Sequence, residues 1–478
     1  MKVCSQLIFC ALLSSISSAL FASNGQKSEG YEIANKVIIE STILDEKRDI
    51  LISLPDGYES SNDTYPVIVL LDGKQNIEHT VASTRMLAKW RGVPECIVVA
   101  IPSTLRLRDF TPTKDSSHSN ESGGAEKFQQ FIEAELMPYI DKTYRTHPFR
   151  VLVGHSLSGL FAAKQLLTGN VFYQAYVIIS PSLWWQNRVL FNDIEALNER
   201  ASLLAVPVYF AIGQNDGDGM KKELRDFFKA IKKDDETASD ITLHEFDGEG
   251  HMSVTLQATY HGISHVFQGA KYSKNSWDDF TSENFTSFLK KTKQTFGSSV
   301  TQTGELYMDL AQFLMKSNRY QEAITVLDAN IKAYPDYPLN YEWLANVYVL
   351  NDQPDMAIKL YKQAANLALS SKSFGSAAHD RYLQEAKRLI NPVVVNTDIL
   401  RLYEGCYISD SGSVFRFQLQ HKNLIGSREG WSDFRLFADN ESNFYTRVEP
   451  RLELMFKDRA VEITAYGASY HLKKGNCF

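Results

Sequence analysis

Cysteine is scarce, five among 478 residues with two of them in the first ten. That spacing builds neither a disulfide-stapled small fold nor a Cys-rich zinc module, both of which need cysteines paired at short intervals. Basic charge is also in deficit. The 50 Lys and Arg stand against 57 Asp and Glu, a formal net charge of -7 spread along the chain. With no basic stripe, nucleic acid is not an expected partner. Beyond the N-terminus no run approaches the ~20 apolar residues needed to cross a bilayer, so no membrane span is expected. Apolar residues are otherwise plentiful. At 44% hydrophobic and 12% aromatic, the chain can fill packed cores and lacks the composition of a disordered protein. Its length suggests two to four domains of roughly 100–200 residues.

At the N-terminus, Lys2 precedes an apolar stretch from Leu7 to Leu13 and small residues from Ser17 to Ser23. This is the pattern of a secretory signal peptide, residues 1–22, and implies an exported protein, periplasmic or extracellular. Cys4 and Cys10 would leave with it. Cys406 and Cys477 lie near the two ends of the last segment, and an oxidising compartment would let them pair; two buried free thiols are the alternative. Cys96 opens the apolar run Cys96–Ile101 and reads as a core residue.

From residue 30 to about 270, strand and helix patterns alternate. Lys36–Ser53 reads as an antiparallel hairpin. Pro66–Leu71 and Cys96–Ile101 are short apolar runs suited to strands buried on both faces of a parallel sheet, and Arg150–Val153, Ala175–Ile179 and Val206–Ile212 read as further strands. Such strand–helix repetition predicts a three-layer α/β domain. Residues 271–300 are polar and read as a linker or an ill-defined helix. In the stretch 301–392, Ala323 and Ala357 stand 34 positions apart within similar surroundings, the period of tetratricopeptide repeats. From 397 to 478 short alternating runs with turn signals predict a small all-β domain.

The sharpest chemical signal is Val151-Leu-Val-Gly154-His155-Ser156-Leu157-Ser158-Gly159. A strand enters Gly154 and a helix leaves from Leu157, the context of a nucleophile elbow, although Ser158 stands where Gly-x-Ser-x-Gly has its second glycine. A serine hydroxyl needs a general base. In this fold the acid and the histidine follow the serine in chain order, each in a loop after a later strand. His251, in the Gly-rich loop after strand Ile241–Phe246, is the candidate base. Asp216, in the loop after Val206–Ile212, is the candidate acid, with Asp218 and Glu223 as rivals and a Ser–His dyad as a further option. His155 is expected to point away and pack locally. Backbone N–H groups of Leu157 and Lys74 are the candidate oxyanion donors, Lys74 because Leu70-Leu71-Asp72-Gly73-Lys74 ends an earlier strand. Trp184 and Trp185 are candidates for lining a substrate pocket, and Arg106 and Arg108 for meeting an anionic substrate. Both pairs could equally serve packing or lie solvated on a loop. His261 and His265 are four apart but lack a third ligand at suitable spacing. Ser287-Phe-Leu-Lys290 lacks the Ser-Asp-Asn and Lys-Thr-Gly partners of a β-lactamase-like enzyme.

Taken in order, Leu70–Lys74, Arg106–Pro112, Phe131–Thr146, Arg150–Gly159 and Ile179–Trp185 resemble the esterase family that contains enterochelin-type siderophore esterases, S-formylglutathione hydrolase, feruloyl and acetyl-xylan esterases and mycolyltransferase antigens. Ser180-Pro-Ser-Leu-Trp-Trp185 looks most like its siderophore-esterase branch. The resemblance covers about half of the chain. It implies an α/β-hydrolase fold with a catalytic serine at Ser156, a histidine at His251 and an oxyanion donor just after Gly73. The expectation is therefore an α/β-hydrolase sandwich, then a small all-α helical-repeat region, then a small all-β domain. Its reaction would be hydrolysis of carboxylic esters through an acyl-enzyme, with no metal or organic cofactor. Siderophore trilactones, carbohydrate acyl esters and lipid-like esters remain open as substrates. A protein partner or self-association through the repeats is the further expectation, and a non-catalytic binding protein on a hydrolase scaffold is the rival reading.

Overall fold

Strands β3 (Tyr65–Leu71), β4 (Ile97–Ile101), β6 (Ala175–Ile179) and β7 (Val208–Gly213) are buried at every position. Their near-continuous apolar sequence follows from having helices on both faces. In the computed structural model they form the centre of an eight-stranded sheet of order β1-β2-β4-β3-β5-β6-β7-β8. The hairpin β1 (Asn35–Ser41) and β2 (Glu46–Ser53) adds two antiparallel strands at one edge, while β5 (Thr146–His155) and β8 (Ile241–Phe246) pair in parallel with their neighbours. The structure describes residues 32–476 except 170, 195–205, 233–239, 448–450 and 466. The expected signal peptide and Cys477 lie outside the described residues.

Side chains alternate across a strand, and here each set meets its own helical layer. Val67, Val69 and Leu71 face a core shared with Phe110, Phe128, Phe161 and Phe227. These phenylalanines come from α2 (Arg106–Phe110), α3 (Ala125–Phe131), α5 (Leu157–Thr168) and α7 (Asp218–Ile231). Between α3 and α5 the chain makes a π-helical turn and α4 (Met137–Thr143); α6 is the short turn Trp185–Arg188. Ile68 and Leu70 face the opposite core with α1 (Gly73–Arg91) and α8 (Val254–Val266).

Of the two readings of residues 271–300, linker or ill-defined helix, the structure has the helix. Residues Ser282–Phe296 form a 15-residue helix, α9, capped by the Thr281 hydroxyl. Its Phe285 and Phe296 are buried. Phe296 closes a ring cluster with Phe149 and Phe267 at centroid distances of 4.9 and 5.6 Å, each buried ring contributing roughly 2 kcal/mol. Helices α10 (Gly304–Lys316), α11 (Tyr320–Ala333), α12 (Pro338–Leu350), α13 (Pro354–Ser370) and α14 (Gly375–Ile390) follow, each packed on the next.

Beyond them, strands β9 (Gly405–Ser409) to β17 (Ala468–Gly475) make an all-antiparallel nine-stranded sheet among the described residues. The two ends of its strand order, β12 (Phe434–Arg435) and β13 (Phe437–Ala438), are separated only by Leu436. The sheet therefore curls round a core that includes Tyr407, Phe417, Leu454 and Phe456. Buried Cys406 is disulfide-bonded. The β domain docks on the helices through ion pairs: Arg447 meets Glu385 at 2.8 Å, Arg451 meets Glu342 at 2.7 Å, and Arg388 meets Asp439 at 2.8 Å.

Candidate active site

Strand β5 runs directly into Ser156, which adopts φ 62°, ψ -116° at the start of α5. A β-carbon at Gly154 would lie 2.2 Å from the Ser158 carbonyl oxygen, so only glycine lets the turn close this tightly. The strained turn lifts the Ser156 hydroxyl out of the sheet while its own N–H bonds to the Ile179 carbonyl at 3.0 Å.

Two loops from the carboxyl edge of the sheet converge on that hydroxyl. His251 Nε2 stands 3.0 Å from Ser156 Oγ. Asp216 faces the other ring nitrogen, its two oxygens 3.1 and 3.0 Å from His251 Nδ1. The loops are knitted together by Asn215 N–H, which donates to the Glu249 carbonyl at 2.8 Å. Gly213 allows that approach, since a β-carbon there would lie 2.4 Å from the same oxygen. The Asp216 side chain is 3% exposed, which shields its contact with the ring from water, whereas His251 keeps 34% exposure toward solvent. Of the rival acids, Asp218 is fully exposed and pairs with Lys221 at 3.0 Å. Glu223 lies apart on α7, where burial pushes its carboxyl upward.

Leu157 is the first residue of α5, and Lys74 the second of α1. First-turn N–H groups have no partner within their own helix, and neither Ser156 nor Asp72 caps its helix with a side-chain hydrogen bond. Both donors are therefore available to a developing oxyanion, with two helix dipoles behind them. Ser182 Oγ lies 3.4 Å from Ser156 Oγ, so the segment carrying Trp184 borders the nucleophile.

Three expectations need correction. Arg106 binds Asp72 in a bidentate pair, 2.9 Å on each arm, and also donates to the His155 carbonyl at 3.1 Å. Arg108 binds Glu46 through both terminal nitrogens and Asp109 through Nε. These pairs tie both guanidinium groups into the scaffold's own carboxylates. Trp185 is fully buried and donates to Thr113 Oγ1 at 3.1 Å, a packing residue, whereas Trp184 is 38% exposed beside His118. His155, expected to point away, reaches from the elbow to the opposite loop. Its Nε2 lies 2.7 Å from the His251 carbonyl oxygen. Burial and the neighbouring His251 hold the His155 pKa down to about 4, so the ring stays neutral and donates there. Asp72 and Ser158 also escaped the reading from sequence. The one available signal was Ser158 itself, a polar side chain where the motif usually has none. His265 bonds to the Asp240 carbonyl and His261 packs by Phe246. Among the described residues no group of three or more His, Cys, Asp or Glu could hold a metal.

This arrangement lies inside a region with known relatives. The family described as "Putative esterase" matches residues 41–283. The chain belongs to this esterase family. Over 215 residues it is 30% identical to the ferri-bacillibactin esterase BesA of Bacillus subtilis, spanning 40% of this esterase and 74% of that protein. Over 241 residues it is 25% identical to the siderophore triacetylfusarinine C esterase of Aspergillus fumigatus, spanning 42% and 82%. Among solved structures, an IroE-like serine hydrolase from Shewanella oneidensis superposes with a TM-score of 0.52 at 27% identity, covering 62% of this esterase and 98% of that chain. The α/β-hydrolase fold of the N-terminal region is thereby shared with siderophore esterases.

Proposed function

We propose that the protein is an exported serine esterase that cleaves ester-linked siderophores through an acyl-enzyme. The observation that carries this reading is the unbroken line from Asp216 through His251 to Ser156, with contacts of 3.0–3.1 Å. Ser156 Oγ attacks the ester carbonyl as His251 Nε2 takes its proton, and Asp216 steadies the imidazolium. The carbonyl oxygen, now anionic, is held by the N–H groups of Leu157 and Lys74. Collapse expels the alcohol, which receives the proton from His251. Water then attacks the acyl-enzyme, gives its proton to the same nitrogen, and releases the acid and Ser156. The siderophore class is supported by what the relatives named above act on. Export is supported by the N-terminal sequence and by the disulfide at Cys406, a bond that persists in oxidising compartments.

The helical region supports an interaction role. Asn318 and Asp352, 34 positions apart, both turn between helices at positive φ, and Ala323 and Ala357 are both fully buried. This equivalence favours stacked tetratricopeptide-like repeats, which would carry a protein partner or a second copy of the chain.

Hydrolysis of p-nitrophenyl acetate and butyrate by the mature protein and Ser156→Ala tests the chemistry, and a screen of catecholate and hydroxamate ester siderophores then tests the substrate. Turnover that vanishes in Ser156→Ala is expected. A wild-type protein with no turnover and no labelling by a fluorophosphonate would instead favour a binding protein on a hydrolase scaffold.

A further inference from the structure

Asp72 is a carboxylate with 3% side-chain exposure, at the point where strand β3 turns into α1. It touches neither the nucleophile nor the base, yet three side chains from two separate segments donate to it. Arg106 Nε and Nη2 hold its two oxygens at 2.9 Å each, Ser103 Oγ donates to Oδ1, and Ser158 Oγ lies 2.7 Å from Oδ2. Ser158 is fully buried and also accepts the His155 N–H at 2.9 Å. It therefore ties the first turn of α5, on one side of the nucleophile, to the residue that begins the loop on the other side. Asp72 itself sits at φ 51°, a left-handed conformation that a non-glycine residue keeps only when its surroundings impose it. The peptide it orients leads through Gly73 to the Lys74 N–H.

We infer that Asp72 and Ser158 are positioning residues that lock the Lys74 and Leu157 N–H groups at a fixed separation across the nucleophile, so that the oxyanion hole is preassembled. The serine at the second-glycine position of the elbow is then a functional substitution: a glycine fits there but offers no hydroxyl to hold the carboxylate. This rests on the serine-esterase reading above. A transition-state donor displaced by about 1 Å costs on the order of a hundredfold in rate. Because the oxyanion forms only after attack, the loss falls on kcat and leaves KM nearly unchanged.

The test uses the full mature chain as wild type, Ser158→Ala, Ser158→Gly, Ser158→Thr and Asp72→Asn. Each is titrated with a fluorophosphonate, so that kcat is expressed per reactive Ser156. Expected is a ten- to hundredfold fall in kcat for Ser158→Ala, Ser158→Gly and Asp72→Asn. KM should change less than threefold, and affinity for a trifluoromethyl ketone, whose hemiketal carries the oxyanion, should fall in step with kcat. Ser158→Thr, which keeps the hydroxyl, should recover most of the rate. Wild-type kcat per titrated site in Ser158→Ala and Asp72→Asn would overturn the inference. So would a loss confined to the titratable fraction or to thermal stability, because that describes a structural brace alone. A wild-type chain that neither turns over nor takes the fluorophosphonate overturns the esterase reading itself, and this inference falls with it.

Discussion

The esterase region and the seam between helices and β domain both bury carboxylates against cationic or polar partners, but to different ends. Around Ser156, Asp216 spends its two oxygens on one imidazole whose far nitrogen meets a hydroxyl at the surface. At the seam, Glu342 is closed off by Arg381 and Arg451, and Glu385 by Arg388 and Arg447. Among the described residues no hydrogen-bond chain there ends on a serine or cysteine nucleophile. Buried charge at the sheet edge is arranged for a proton transfer, and buried charge at the seam for holding two surfaces in register. Cost to rate and cost to stability should separate accordingly.

The largest effect expected is on rate. Asp216→Asn keeps the shape of the site but removes the charge that fixes the His251 tautomer, and should lower kcat by about 10⁴-fold. Thermal unfolding should barely move. If kcat falls less than tenfold, the pair works as a dyad and the contrast between the two regions narrows.

His155 allows a sharper test, because it belongs to the esterase region but acts through stability. Its pKa is held near 4 against 6.5 in the unfolded chain, first by burial and then by His251. Between those values the unfolded chain takes up a proton that the folded chain refuses. Its contribution is thus fully present above pH 6.5 and is lost as pH falls toward 4. The loss amounts to about 2–3 kcal/mol by pH 4.5. Urea unfolding of wild type and His155→Gln at pH 7 and 4.5 should show a smaller acid loss in the variant. Equal losses would mean that His155 is not excluded from protonation.

How far the sequence could be read follows from the range of the interactions involved. Ser156 and its turn are written within nine residues, and His251 within a Gly-rich loop, so both were legible. Asp216 was preferred but not isolated, because its aim depends on Asn215 meeting Glu249 across two loops. Ser158 and Asp72 lie 86 positions apart, and no local pattern announces that contact. The stretch 271–300 left linker and helix both open because Ser, Thr and Lys are frequent throughout it. The helical spacing of Phe285, Phe288, Leu289 and Phe296 becomes decisive only with Tyr272 and Phe280 to meet Phe285, and Phe149 and Phe267 to meet Phe296. The strands of the β domain were visible as alternation, but not the ion pairs that dock it.

At the seam, Glu385→Gln should weaken cohesion without touching chemistry. Arg447 keeps 2% of its side chain exposed, and among the described residues its remaining hydrogen-bond partners would be the Tyr361 and Tyr445 phenol oxygens at 3.1 and 2.8 Å. Leaving that guanidinium without its carboxylate should cost about 2 kcal/mol, less than a fully buried pair because Glu385 is 16% exposed and the phenols remain. Proteolysis between the helical and β regions should accelerate while kcat per titrated Ser156 stays at the wild-type value. A fall in kcat would show that the seam communicates with the active site.

The smallest effect separates two neighbouring residues of the same type. Trp185 is enclosed and hydrogen-bonded to Thr113, so truncating it removes core packing. Trp184 stands half in solvent, its ring centroid 5.6 Å from that of His118, two residues beyond the Ser182 hydroxyl that borders Ser156. Trp184→Ala therefore removes little buried surface and should change unfolding free energy by no more than about 0.5 kcal/mol. If the exposed ring supports an aromatic acyl group, kcat/KM for p-nitrophenyl benzoate should fall about fivefold, roughly 1 kcal/mol, while p-nitrophenyl acetate is hydrolysed as before. An equal loss for both ester types would place Trp184 with its neighbour, as scaffold.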